Sequence, residues 1–151
     1  MLPHNMKENT NLDSIEGDEM FSFDARVKSF GRKTGKWFES GRSSKEQMAE
    51  VGLYVPDEEH RQRKTVKCAY CRHTFLDWTR NDDPHDRHSE ESPDCLFMIL
   101  AVPKGGENKL KIKEVLELQQ FAMLQKLKED YDKEKSLLHH RFDETRRNFL
   151  K

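Results

Sequence analysis

Long apolar runs are missing from this 151-residue chain. The longest, Leu96 to Val102, is far too short to cross a bilayer. The opening Met1-Leu2-Pro3-His4-Asn5 has neither the basic region nor the apolar stretch of a secretory leader. Hydrophobic residues make up 34% of the chain against 36% charged, too little apolar material for all of it to close around one core. A small domain, a disordered end and a long solvated helix are expected instead. Net charge is lacking too. At −1, the chain as a whole presents no field for a nucleic acid or a membrane surface. Its basic tail (Arg141, Arg146, Arg147 and Lys151) is interleaved with acids, which weighs against direct DNA binding. There is no internal repeat, and no Ser/His/Asp or paired-carboxylate arrangement that would suggest an enzyme.

Cysteine is also scarce. The three that occur, Cys68, Cys71 and Cys95, cannot all pair as disulfides. With His88 they read C-x2-C-x16-H-x6-C, and no thiol is left over. Three thiolates and one imidazole complete the tetrahedral shell of one structural Zn2+. A closed shell leaves no position for a water, so the metal is expected to hold the fold and not to catalyse. His73 and His85 fall outside the ligand slots and read as surface histidines. Metal-type cysteine spacing points to a reducing compartment, cytosol or nucleus.

Read along the chain, residues 1–19 are polar and acidic without hydrophobic periodicity and are expected to be disordered. Order is expected from Met20. Phe23, Val27 and Phe30 form a short helical stripe, and Gly31 to Arg42 reads as a loop interrupted by Trp37-Phe38. Ser44-Lys45-Glu46-Gln47 is a capping box, and Gly52 is placed to stop the helix it opens. Three strands are expected at Leu53–Val55, Thr65–Lys67 and Thr74–Leu76, the polar run Pro56 to Lys64 joining the first two. The CxxC falls in the turn between the second and third. Asp83-Pro84 opens a helix carrying His88 inward, and Ser92-Pro93 is expected to open another carrying Cys95. Leu96 to Val102 is more apolar than a domain exit requires. Phe97 and Met98 should be core, and the rest a patch for the following helix, a second copy or a partner.

After the linker 103–107 there is no glycine or proline, and one helix is expected over 108–151 with Asn108 as its cap. Leu116, Met123, Leu127, Tyr131, Leu138, Phe142 and Phe149 form a single stripe along it. Leu110, Ile112, Val115, Leu118, Phe121 and Leu124 widen the apolar face in its first half. A lone helix of that length is rarely stable unpartnered. Interruptions such as Glu134 and Thr145 suit a mixed bundle better than a homodimeric zipper.

The ligand spacing, Trp78 seven residues after Cys71, and Asp82-Asp83-Pro84 ahead of His88 and Cys95 together resemble the baculovirus inhibitor-of-apoptosis repeat, the BIR family. Arg26-Val27-Lys28-Ser29-Phe30 resembles that domain's opening Arg-x-x-(Ser/Thr)-Phe. Met48-Ala49-Glu50-Val51-Gly52-Leu53-Tyr54 resembles its Met-Ala-x-x-Gly-Phe-Tyr stretch. The resemblance covers about residues 20–100. It implies an α+β fold: a small zinc-binding BIR domain over 20–102, with a short three-stranded antiparallel sheet and several short helices, followed by one long C-terminal helix.

One BIR domain followed by one long helix is the plan of the family's mitotic branch, and Glu114-Val115-Leu116-Glu117-Leu118 resembles the start of that branch's helix. The resemblance implies a non-enzymatic targeting subunit of the chromosomal passenger complex, which directs Aurora B kinase to centromeres. The helix, through Leu116, Met123, Leu127, Tyr131, Leu138 and Phe142, would bind borealin-like and inner-centromere-protein-like helices. When these are absent, the sequence is compatible with either a homodimer or a monomer. Localisation would be nucleus and cytoplasm, with centromeres and spindle midzone during division. The alternative is an apoptosis regulator binding caspase-pathway proteins. Against it stands the lack of an inhibitory linker and an E3 module in this sequence.

The resemblance also implies a peptide groove for a histone-tail N-terminus, with the peptide added along the edge from His73 to Leu76 and Asp82 holding the amine; Trp78 reads either as a wall of that groove or as a partly buried aromatic beside the zinc core. Several positions depart from the pattern. Arg87 replaces an acid expected to face the amine, and a cation there repels an ammonium. Phe75 and Leu76 replace a leucine and an acid. The two phosphate-contacting positions fall on His73 and Glu91, and Glu91 repels phosphate, whereas the planar fork of Arg87 suits it.

Overall fold

The computed structural model describes residues 18–31, 37–38, 41–100 and 109–151. A 3-10 turn, Asp18–Phe21, leads into α1, Phe23–Phe30, whose N-cap Ser22 accepts from the Ala25 amide. Helix α2, Lys45–Glu50, starts on the expected capping box, with both Ser44 and Gln47 engaged. The sheet has order β1-β2-β3 and is antiparallel throughout: β1 Leu53–Tyr54, β2 Val66–Cys68 and β3 Thr74–Phe75. Helix α4, Pro84–Glu91, and the short α5, Leu96–Ile99, follow. The last element, α6, runs Ile112–Phe149.

Gly52 ends α2 because no other residue fits there. Its φ is +80°, and an added Cβ would stand 3.2 Å from Phe97 and 3.3 Å from Tyr70. The core gathers Phe30, Met48, Leu53, Val66, Phe75 and Phe97, with Tyr70 stacked on Phe97 at 4.4 Å. Arg26 is buried among them. Its Nε donates to the Ala49 carbonyl at 2.9 Å, and one terminal nitrogen donates to the carbonyls of Met20 and Phe21. Ser29 Oγ donates to the Arg26 carbonyl and accepts from the Val55 amide. The Arg26-x-x-Ser29-Phe30 motif is therefore a polar brace. It satisfies backbone groups that elements this short cannot pair among themselves.

Four expectations are corrected. The polar run after β1 contains a helix, α3, Glu58–Gln62, capped by Asp57. Asp57 is a good cap, and Arg61 folds inward to donate to the Ser29 carbonyl at 2.7 Å. Ser92-Pro93 does not open a helix. The backbone turns there, and α5 begins at Leu96 with Cys95 in the cap position, because the cysteine must face the other ligands before the chain can coil. Helix α6 starts at Ile112 with Lys111 as its cap residue, four residues later than expected. There Glu114 accepts from the Lys111 amide at 2.8 Å. Met98 is only half-buried, unlike Phe97. Residues 1–17, the linker 103–107, Ala101-Val102 and the proposed Asn108 cap lie outside the described residues, as do 32–36 and 39–40 of the expected loop.

Helix α6 has two faces. Leu118 and Ala122 are buried in the domain core, with Phe121 and Leu110 packed beside them, and α5 lies against the helix. Two turns further, Glu129 bridges to the domain. It pairs with Lys67 of β2, with Arg72 Nε at 2.9 Å, and with Lys133 on its own helix at 3.1 Å. From Tyr131 onward every residue is exposed. The expected stripe lies on the other side. At about 100° per residue, Leu127 sits about 180° around the helix from Leu118, and Leu116, Met123, Leu127, Tyr131, Leu138 and Phe142 are all more than half exposed.

Burial works against ionisation of Glu129, but Lys67, Arg72 and Lys133 outweigh it and hold its carboxyl down at about 2, below its ordinary 4.5. A depressed carboxyl pKa contributes stability that is complete above 4.5 and is lost as pH falls toward about 2. The melting temperature of the wild type should therefore exceed that of Glu129→Gln by a constant margin above pH 5 or so. That margin should shrink steadily in acid. A margin that does not change with pH would mean the bridge is not ionic.

Candidate metal centre and sheet-edge groove

The four ligand-type residues come from three separate stretches of chain. Cys68 ends β2, and Cys71 closes the turn that follows it. His88 lies on α4, whose start is fixed by Asp83 accepting from the amides of His85 and Asp86, with Pro84 in the first turn. Cys95 precedes α5. Their ligand atoms all lie within 4.8 Å of one another. Cys68 Sγ stands 4.0 Å from Cys95 Sγ, and Cys71 Sγ stands 3.6 Å from His88 Nε2. Ligands roughly 2.0–2.3 Å from a tetrahedral zinc would be separated by about this much.

Other groups prepare the shell. The Val51 carbonyl accepts from His88 Nδ1 at 3.0 Å, which leaves Nε2 unprotonated and aimed at the thiols. The amides of Tyr70 and Cys71 point at Cys68 Sγ at 3.4 and 3.5 Å and favour its thiolate. Burial otherwise pushes the Cys68 thiol well above its ordinary value, and the two neighbouring thiols push the same way. A divalent cation reverses that balance. Donor set, spacing and orientation thus fit one zinc, which when bound supplies four coordinate bonds and no reaction centre. His73 and His85 stand outside the cluster, as expected.

The residues expected to form a groove fall on and around β3, in the segment that follows it and on α4. Phe75 is fully buried and Leu76 is exposed. Trp78 belongs to the buried core cluster that also holds Cys68 and Cys95. Only 2% of it is exposed, its indole N–H donates to Ser43 Oγ at 2.7 Å, and the Arg87 guanidinium lies over its ring at 4.6 Å. Arg87 also pairs with Asp82 at 3.1 Å and Glu91 at 2.7 Å, and donates to the Leu76 carbonyl at 2.5 Å. His73 lies 3.2 Å from Glu91. Burial opposes ionisation of Glu91, but Arg87 and His73 prevail and hold its carboxyl below the usual range.

Ser43 was missed in the sequence. It is fully buried, its carbonyl accepts from the Trp37 indole at 2.9 Å, and its hydroxyl donates toward the carbonyls of Thr79 and Asp82. One small residue thus holds both tryptophans and the loop carrying Asp82. A lone serine in a glycine-containing loop gives no periodic signal, so only the fold reveals it.

The BIR inhibitor-of-apoptosis domain signature matches residues 26–99. The chain is 31% identical over 131 residues to baculoviral IAP repeat-containing protein 5 of Rattus norvegicus, covering 85% of this chain and 84% of that one. It is 36% identical over 74 residues to baculoviral IAP repeat-containing protein 5.2 of Xenopus tropicalis, covering 48% and 44%. It is 32% identical over 95 residues to the E3 ubiquitin-protein ligase XIAP of Rattus norvegicus, covering 63% and 17%. The chain spans less than half the length of these last two relatives. A small zinc-stapled domain with these motifs belongs to the BIR, or inhibitor-of-apoptosis domain, family. Within that family the chain is survivin-like, since the match to repeat-containing protein 5 runs well beyond the zinc domain.

Two outcomes follow. With zinc bound, the three thiols should be unreactive toward a disulfide reagent. A chelator should expose all three and abolish the near-ultraviolet signal of the packed tryptophans. Thiols that react at the same rate with and without the chelator would sink the metal assignment. Ser43→Ala should destabilise the domain by about 1–3 kcal/mol, because it strands the Trp78 indole N–H in the core. A denaturant titration measures this directly.

Proposed function

We propose that this chain is a non-enzymatic adaptor, the targeting subunit of a chromosomal passenger complex that brings Aurora B kinase to centromeres in mitosis and cytokinesis. The observation that carries this reading is the second face of α6. The helix already uses Leu118 and Ala122 to dock on its own domain, yet it still presents Leu116, Met123, Leu127, Tyr131, Leu138 and Phe142 to solvent. An apolar stripe of that length on a helix projecting past its domain calls for other helices. Borealin-like and inner-centromere-protein-like helices are the proposed partners, and a homodimer is the proposed form when they are absent. The match to repeat-containing protein 5 supports the reading because it covers most of both chains. A metal shell closed by four protein ligands supports a structural and not a catalytic role. Proposed localisation follows the function: nucleus and cytoplasm, then centromeres and spindle midzone.

In this reading the groove at His73, Phe75, Leu76, Trp78, Asp82, Arg87 and Glu91 takes the N-terminus of a histone tail. His73 and Arg87 are the two cationic candidates for a phosphate contact. The apoptotic alternative, binding of caspase-pathway proteins in the same groove, draws on the 32% identity to XIAP over 95 residues. It makes no use of the α6 stripe.

Leu127→Asp or Leu116→Asp should lower the affinity for the partner helices by tenfold or more, about 1.4 kcal/mol, while leaving the melting temperature unchanged. A complex that survives either change would show that the stripe is not the interface. For the groove, the zinc-loaded protein should bind a threonine-phosphorylated histone tail about tenfold or more tighter than the unmodified tail, as one charge-assisted contact predicts. Preference for an alanine-initiated apoptosis-antagonist peptide would instead favour the alternative.

A further inference from the structure

The surroundings of the Arg87 guanidinium form a complete cation site. An aromatic face lies beneath it at 4.6 Å, one carboxylate stands at 3.1 Å and another at 2.7 Å, and a backbone carbonyl accepts at 2.5 Å. Three of these belong to the rigid frame. Trp78 is anchored through its indole to Ser43. Asp82 is held by the Thr79 amide, which donates to its carboxylate at 2.8 Å. The Leu76 carbonyl follows directly on β3, the sheet's edge strand. Arg87 itself is a long side chain reaching from α4, and its neighbour in sequence is the zinc-facing His88.

An aromatic face, a carboxylate and an edge carbonyl also make a good receptor for an alkylammonium, including the N-terminal amine of a peptide laid along a sheet edge. We infer that Arg87 is an internal plug: it fills the amine subsite of the groove from within and competes with any ligand that enters by a free N-terminus. This rests on the reading of the groove as a peptide site and adds what sets its selectivity. A ligand must either displace Arg87 or bind without using its amine. The direct bond to the Leu76 carbonyl also removes an edge acceptor that an added strand would need.

The test uses the full zinc-loaded chain, the variants Arg87→Ser and Arg87→Gln, and one unmodified histone-tail peptide in free-amine and N-acetylated forms. Melting temperature and zinc content establish that each variant is folded. Arg87→Gln keeps the long stem and one donor and serves where Arg87→Ser is unstable. Both variants should bind the free-amine peptide about tenfold tighter than the wild type, about 1.4 kcal/mol, and acetylation should abolish the gain. In the unliganded wild type, the Arg87 Nε–H should give a slowly exchanging NMR signal.

Equal affinities for wild type and variants, with a rapidly exchanging Nε–H, would overturn the plug while leaving a groove reading intact if acetylation still weakened binding. A gain that acetylation does not reverse would also overturn the plug, because the opened site would not be reading an amine. Failure of all three proteins to bind either peptide would overturn both the plug and the amine-capture reading beneath it.

Discussion

Everything in the zinc domain depends on bringing Cys68, Cys71, His88 and Cys95 to one point. The longest regular elements before α6 are the eight residues of α1 and of α4, and the strands are two or three residues long. Pieces this small bury too little surface to hold their own positions. The metal shell converts them into one body by tying the sheet's middle strand to α4 and to the start of α5. This same demand explains two local irregularities. Arg72, just past the second cysteine, takes a left-handed φ of 63°, which the turn enforces at a cost of roughly 1–2 kcal/mol. The chain also delays α5 until after Cys95, although Ser92-Pro93 offers a better helix start on propensity alone.

Buried polar side chains carry out the second task, satisfying the backbone of a domain with little regular structure. Arg26 serves three carbonyls and Ser43 organises two tryptophans and two carbonyls. A buried guanidinium is costly unless its donors are used, and here they are used on backbone oxygens that would otherwise be stranded. Trp78 and the loop carrying Asp82 are therefore held by a fully buried residue, Ser43.

How much of this was legible in the sequence follows from the kind of signal each feature leaves. The ligand quartet was legible because metal chemistry fixes residue type and spacing together. The α2 capping box, the Asp83-Pro84 start and Gly52 were legible because caps and positive φ are local. Helix α3 was not, since a five-residue helix with only Arg61 turned inward shows no periodicity. The Ser92-Pro93 start failed because a tertiary demand overrode a local one. On α6 the apolar stripe was legible as a pattern, but the face that docks on the domain was largely hidden. Ala122 carries no hydrophobic weight in a pattern search, and Glu129 looks like any other helix charge. Arg87 was read as an intruder repelling an amine. In the fold it lies over Trp78 and pairs with Asp82 and Glu91, which sequence could not show because these residues converge only in space.

Two faces on one helix divide its work. The Leu118–Ala122 face and the Glu129 bridge fix the first half of α6 against the zinc domain, so the exposed stripe emerges at a set angle from the sheet. With the bridge formed, Glu129 meets Lys67 of β2 and Arg72, the residue after the second zinc ligand, and Lys67 pairs in register with Thr74 of β3. The helix is thereby joined through two short steps both to the metal site and to the sheet's edge strand. Loss of zinc should accordingly release the helix from the domain even though no ligand lies on it.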